Sequence, residues 1–334
     1  MRTAILAMLT GIVLAACGGA PQGNTVRIPL GAGGVGFLPL QMIREFELIE
    51  KHAAEAGIED VDVQWVDLGG PAVMNDALLS GSVDFIAAGP PAFITLWDRT
   101  RGSVDVRGVA AIAALPMYLN THAEHLNSLE DLRDTDRIAV TAIKVSIPAL
   151  VMQMYAREQH GIDEVERFDR YTVTMTHPDG VVAMLSESSE INAHFTSPPF
   201  HHREIANPGI RTIMTTDDVL GDSTTFTMLS TTSAFHDAHP ELYSAVLAAL
   251  EEAQAMIRED PQTAAEILVR AGEGGGFTSA EIADVLADPD ISFSTTPRNT
   301  KRYAEFMYDV GTISNAAESW RDLFFEELHG ADGS

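Results

Sequence analysis

Residues 67–93 read DLGGPAVMNDALLSGSVDFIAAGPPAF, and the punctuation of this stretch decides the fold. The valine-rich run 61–66 before it has strand character and stops at Gly69-Gly70-Pro71. Residues 72–79 have helical apolar spacing, and Gly81, free to take positive φ, ends that helix. Residues 83–88 form a second apolar run of strand length, stopped by Gly89-Pro90-Pro91. Proline fits the first turn of a following helix, because its missing N–H would be unpaired there anyway. Strand, helix and strand with these turns predict a βαβ unit of two parallel strands. Ligands of open α/β sheets bind outside the carboxyl ends of the strands, so both Gly/Pro turns are expected to line one cleft.

The 334 residues are 46% hydrophobic, enough for two cores of ordinary size. A formal net charge of −27 argues against nucleic acid or an anionic membrane surface as a partner. Lysine is scarce, occurring only as Lys51, Lys144 and Lys301. An acidic, lysine-poor surface suits high salt, and equally an exported protein from a GC-rich genome.

At the N-terminus Arg2 precedes an uncharged, mostly apolar stretch, residues 3–16, too short to span a membrane as a helix. It ends Leu14-Ala15-Ala16-Cys17-Gly18, which resembles a bacterial lipobox with Cys17 as the lipidated residue. Residues 1–17 are thus expected to be a lipoprotein signal peptide and 18–24 a tether. Cys17 is the only cysteine, so no disulfide forms within the chain.

The rest of the chain alternates strand and helix. Strands are expected over 25–30, 104–114, 117–122, 137–141, 171–176, 190–195, 210–214 and 226–231. Helices are expected over 38–56, 91–101, 148–159, 177–185 and from 200 to about 206. After residue 231 only helices are expected, over 240–259, 261–271, 278–286, 296–313 and 319–325, packed on the first sheet. Ser128 and Asp131 have capping-box spacing. The pattern predicts an α/β fold of two lobes: residues 25–119 plus 226–334, and residues 120–225. The segments 115–120 and 226–231 cross between them and suit hinges.

The Gly-rich turn 31–36 invites a dinucleotide reading, but glycines at 31, 33, 34 and 36 are not GxGxxG, and Glu50 and Glu55 fall inside a helix. A tight turn bringing backbone N–H groups to a small ligand, with Phe37 at its rim, suits the sequence better.

Four features together resemble the SsuA/THI5-like (NMT1-like) family of ABC-importer substrate-binding proteins for sulfonate, nitrate and thiamine precursors. They are Phe37-Leu38-Pro39 after a Gly-rich turn, ALLSGSVDF at 77–85, SLEDL at 128–132 followed by RIAV, and PELYSAVLAALEEAQAMIREDPQTAA at 240–265. The resemblance spans about residues 25–290. It implies a two-lobed type II periplasmic-binding-protein fold, a small-molecule ligand clamped between the lobes, and docking on a permease with its ATPase. It also implies an exported, periplasmic or surface protein, here anchored to a membrane only by lipid at Cys17, monomeric, with no nucleic acid and no cofactor. Lys144 in the loop 141–146 and the aromatic, His-rich run 196–202 depart from the family pattern.

Expected ligand contacts are Gly34, Val35, Gly36, Phe37, Gly70, Pro71, Gly89, Pro90 and Pro91 from the first lobe. Phe226 joins them, and Thr141, Lys144, Ser146, His194, Thr196 and Ser197 face them from the second lobe. Ser146 precedes a helix, where N–H and hydroxyl suit an anion. The ligand is expected to be a small sulfonate- or carboxylate-like organic anion. The alternative is a flat heterocycle such as a pyrimidine, stacked on Phe37, Phe93, Phe195 or Phe226. Adjacent His201 and His202 point in different directions on a helix, and no HExxH-type spacing occurs, so no metal is expected. A thiamine-precursor synthase of this fold uses pyridoxal phosphate and a cysteine-rich segment, which this chain lacks; neither Ser-His-Asp order nor nucleophile elbow is present. A binding protein is therefore expected and not an enzyme. A ligand-sensing lipoprotein is the remaining alternative.

Overall fold

The computed structural model describes residues 23–31, 33–68, 70–186 and 189–334. The signal-peptide and lipobox readings, with Cys17, lie outside them, as do Gly69 and the side chain of Pro71. The chain begins with β1 (Thr25–Pro29), a 3-10 turn (Val35–Phe37), α1 (Leu38–Glu45), α2 (Leu48–Glu55), β2 (Asp62–Val66) and α3 (Pro71–Leu79). Next come β3 (Phe85–Ala88), α4 (Pro90–Thr100), β4 (Val106–Ala114), β5 (Tyr118–Thr121), β6 (Ile138–Val140) and α5 (Ile147–His160). Then follow β7 (Thr172–Thr174), α6 (His177–Leu185), β8 (Ala193–Thr196), α7 (Phe200–Ile205), β9 (Arg211–Thr215) and α8 (Thr216–Leu220). The chain closes with β10 (Thr225–Thr232), α9 (Ser233–Ala238), α10 (Pro240–Glu259), α11 (Pro261–Arg270), α12 (Ser279–Leu286) and α13 (Thr300–Asp309).

The two strands of the expected βαβ unit, β2 and β3, are not neighbours. β2 pairs in parallel with β1. β1 in turn reaches the start of β3, where the Asp84 N–H donates to the Arg27 carbonyl at 2.8 Å. α3 therefore carries the chain over one strand before β3. β10 runs antiparallel between β3 and β4. The second sheet has the order β7-β6-β8-β5-β9, with β6 parallel to β7 and β8, and β5 antiparallel to β8 and β9.

The C-terminal helices pack on the first sheet. α10 lies against α1, α2 and β4, and its buried Gln254 donates to the carbonyls of Ala111 and Ile112 at 3.1 and 3.0 Å. The expected helix over 38–56 is two helices, because Glu47 adopts the left-handed conformation (φ 49°). That conformation costs a non-glycine residue roughly 1–2 kcal/mol. The turn buries Leu48 and Ile49, and such burial stabilises by about 1.5–3 kcal/mol per side chain. The expected helix 296–313 shortens to α13. Residues before it run along β4, with Ala111 N–H donating to the Thr295 carbonyl and Ser292 N–H to that of Ala114. α8 and α9 are short helices outside the sequence reading, and the segment expected to be helical over 319–325 is a 3-10 turn at Trp320–Leu323. No helix among the described residues is long and apolar enough to cross a membrane.

Candidate ligand-binding cleft

Four helices begin at one cleft between the two sheets. Its walls are Phe37, Met74 of α3, Ala87 and Ala88 of β3, Gly89, Ala92 of α4, Phe226 and Thr227 of β10 on one side. Met117, Thr141, Val145, Ser146, Ile147, Pro148 and His177 complete it from the other. The cavity holds about 60 Å³, counted at water centres; one water needs roughly 10–15 Å³ on that measure, so only a small group fits. This placement follows the rule for α/β sheets, since the cleft lies where β3 and β6 end and α4 and α5 begin.

Each wall has a local cause. Gly36 lets the Phe226 ring lie against the first turn, because a Cβ there would meet ring carbons at 2.2 and 2.3 Å. Phe226 then meets Phe37 edge to face, 6.0 Å between centroids at 74°, the arrangement the ring quadrupoles favour. Thr227 fixes the same turn by donating its hydroxyl to the Gly36 carbonyl at 2.6 Å. Ser146 is the N-cap of α5: its hydroxyl donates to the Ala142 carbonyl at 2.6 Å and accepts from Ala149 N–H at 3.4 Å. That hydroxyl hydrogen is thus engaged within the loop. The donor left for a ligand is the Ile147 N–H, one of the first-turn groups without an intrahelical partner, at the positive end of the helix dipole. All four facing helices also carry prolines at N1 or N2, at Pro71, Pro90, Pro91, Pro148 and Pro178, which removes further donors. Among the described residues no Lys, Arg, Asp or Glu lines the cleft.

The expected contacts divide clearly. Phe37, Gly89, Thr141, Ser146 and Phe226 line the cavity. Val35 is buried in the core, and Pro90 and Pro91 are buried in the first turn of α4. Gly34 approaches Phe200 and the Pro198 carbonyl, away from the cavity. Gly70 is exposed, with open space where a side chain would stand. His194, Thr196 and Ser197 are buried behind the wall.

Lys144 is the clearest correction. Its left-handed backbone (φ 66°) directs the ammonium to Glu166 at 2.6 Å and Asp169 at 4.0 Å, and it does not line the cleft. Glu166 raises its pKa above the ordinary lysine value.

Met74, Met117, Val145, Ile147 and His177 went unread in sequence. For Met74, Ile147 and His177 the signal would have been position alone, in the first turns after Gly70, Ser146 and Thr176; Met117 lies in the crossing between β4 and β5, and Val145 in the loop before Ser146.

Among the described residues no group of three His, Cys, Asp or Glu side chains is placed to share a metal. His177 has instead a buried hydrogen-bonded chain behind it. Its Nδ1 lies 3.2 Å from His194 Nε2 and 3.2 Å from Thr196 Oγ1. His194 Nδ1 lies 2.6 Å from Glu204 Oε1. Burial, reinforced by His194, holds His177 well below the usual imidazole range. Burial beside His202 lowers His201 to about 3, and that ring stacks on Tyr118 at 3.7 Å.

The model of the NMT1-like family matches residues 50–271. No curated protein matches the chain in sequence. Among solved structures, the alkanesulfonate-binding protein SsuA from Xanthomonas axonopodis pv. citri, bound to MOPS, superimposes with a TM-score of 0.66 at 14% identity, covering 89% of this chain and 96% of that one. The periplasmic aliphatic sulphonate-binding protein SsuA from Escherichia coli gives 0.62 at 15% identity, covering 92% and 93%. The periplasmic nitrate-binding protein NrtA from Synechocystis PCC 6803 gives 0.66 at 15% identity, covering 91% and 85%. At these identities the likeness shows the two-lobed fold.

Proposed function

The chain belongs to the NMT1-like family, and from that premise we propose that it is the solute-binding receptor of an ABC importer rather than an enzyme. It captures a small organic anion between its lobes and delivers it to a permease and its ATPase. The carrying observation is the cleft itself. It sits between two sheets joined by crossings near residues 115–117 and 221–224, and four helices begin at it. Closure around a ligand follows if the ligand touches both walls only in the closed state, since that differential contact shifts the population. The lobes are taken as residues 25–119 with 226–334, and residues 120–225.

The wall chemistry favours an anion with an apolar body. Phe37, Phe226, Met74 and Met117 would bury the body, while the head group meets the Ile147 N–H at the α5 terminus and the Thr141 hydroxyl after β6. The sulfonate and nitrate binding stated for the structural neighbours supports the anionic head. The charge-free wall and the Phe37–Phe226 pair favour a second reading, an uncharged flat ring.

A thermal-shift panel of short alkanesulfonates, carboxylates and pyrimidines separates the two. A probe at a hundred times its Kd is expected to add about 2.7 kcal/mol to folding. If no member of either class raises Tm at millimolar concentration, the receptor reading fails.

Export and membrane attachment rest on the Leu14-Ala15-Ala16-Cys17 motif. Cys17→Ser is expected to move the protein from the membrane fraction to the soluble one, and unchanged fractionation would rule out the anchor.

A further inference from the structure

The polar side chain on the cleft wall with a worked structure behind it is His177. Glu204, fully buried, accepts from Asn120 Nδ2 at 2.8 Å with Oε2. The orientation of Asn120 is itself set, because its Oδ1 accepts from the Thr212 hydroxyl at 2.7 Å. Glu204 Oε1 faces His194 Nδ1 at 2.6 Å. A carboxylate accepting there places the hydrogen of the His194 ring on Nδ1. His194 Nε2 is then a lone pair, and at 3.2 Å it accepts from His177 Nδ1–H, with Thr196 Oγ1 as a second acceptor at 3.2 Å. A ring's tautomer is set by the hydrogen bond its other nitrogen makes. His177 holds one ring hydrogen, and the chain consumes it on Nδ1. Nε2 has no partner among the described residues, on a ring that lines the cleft.

The packing protects this arrangement. Gly180 lies directly against His194, where a Cβ would meet ring atoms at 2.4, 2.5 and 2.8 Å. Phe200 stacks on His177 at 5.5 Å between centroids and 27°. The titratable groups packed on the chain are Glu204 and His201 from α7 and Tyr118 from β5.

We propose that His177 Nε2 is the hydrogen-bond acceptor of the binding cleft, held in that state by His194 and Glu204, and that the transported ligand carries an N–H or O–H donor beside its anionic head. This deepens the receptor reading and rests on it. A bare imidazole lone pair repels an anionic oxygen, so the head group belongs at the α5 terminus and the donor at His177. A site built to bond a donor discriminates strongly against the analogue lacking it, because the acceptor is then left unpaired.

The test has two arms on the full chain. Nitrogen-15 NMR of the histidine rings is expected to show His177 with Nε2 unprotonated; an Nε2–H tautomer overturns the proposal. In calorimetry, 2-hydroxyethanesulfonate is expected to bind at least tenfold tighter than ethanesulfonate, and His177→Phe, which keeps the stacked ring, is expected to erase that preference. No preference in the native protein, or one that survives His177→Phe, overturns it. If neither sulfonate binds but 4-aminopyrimidine outcompetes pyrimidine in a His177-dependent way, the anionic reading fails and the acceptor role stands. If no probe of either pair binds, both fail. Gly180→Ala, which displaces His194 without touching the cleft, is expected to weaken the hydroxyl preference and alter the His177 tautomer signal together.

Discussion

Asp84→Ala is expected to destabilise the protein by about 3 kcal/mol, the scale seen when one partner of a buried pair is removed. Asp84 is 8% exposed and accepts three bonds from one residue: the Arg27 backbone N–H at 2.8 Å, Nε at 3.0 Å and Nη2 at 2.7 Å. Its own N–H returns a bond to the Arg27 carbonyl. These bonds are the join between the β1–β2 pair and the β3–β10–β4 sheet, which share no ladder. Truncation leaves the Arg27 backbone N–H and a guanidinium that is 23% exposed short of their acceptor. Asp84 raises the Arg27 pKa above its ordinary value; without it the guanidinium stays charged all the same, because arginine keeps its proton in proteins. On a chain of this size the loss is expected to lower Tm by roughly 4 °C, read by calorimetry. Asp84→Asn keeps one acceptor and is expected to fall between the two. A melting point within a degree or two of the native protein would show that the sheet does not depend on this join.

The same residue shows what the sequence could and could not disclose. Asp84 stood out in the run ALLSGSVDF as part of a family pattern, with no physical reason attached. The reason is tertiary, because it needs β1 beside β3, which the βαβ reading of residues 61–88 did not place. Local punctuation was readable: Gly81, Gly89-Pro90-Pro91 and the Ser128 capping box end or start elements where expected. Cleft-lining positions such as Gly89 and Thr141 at strand ends, and Phe37 in the turn after the glycines, follow from the same punctuation. What failed was side-chain direction. Thr196 ends β8 at the right height, but β8 lies between β6 and β5 with every residue buried, so Thr196 meets His177 from behind. Lys144 lies in the right loop, but one left-handed residue turns it to Glu166. Met74, Met117 and His177 depend on the rotation of helices and crossings about their own axes, which no local pattern sets.

Gly89→Leu is expected to reduce ligand affinity at least a hundredfold, about 2.7 kcal/mol, with a smaller loss of fold stability. Gly89 has an ordinary extended backbone (φ −69°, ψ 157°), so a side chain brings no backbone strain. As N-cap it makes no side-chain bond that could be lost. The obstacles are Ile147 across the cleft and the Phe226 backbone beside it. A Cβ at Gly89 would stand 3.2 Å from Ile147 Cδ1 of α5 and 3.2 Å from the Phe226 carbonyl oxygen. Ile147 can yield a few tenths of an ångström to a methyl group, whereas the Phe226 backbone is held in β10. A leucine therefore has to push α5 away from β3, and α5 belongs to the other sheet's lobe. If the ligand is held by contacts on both walls, a wedge at this closest approach adds the Ile147 contact to the closed state alone, whereas the contact with the Phe226 carbonyl is common to both states. Gly70→Leu is the control, since open space surrounds that position, and it is expected to bind as the native protein does. Small-angle scattering supplies the second measurement: a stabilising ligand should contract the native protein and the Gly70 variant, and fail to contract Gly89→Leu. Native affinity and contraction in Gly89→Leu would mean that the cleft binds its ligand without bringing α5 against β3, and the clamp mechanism would have to be abandoned.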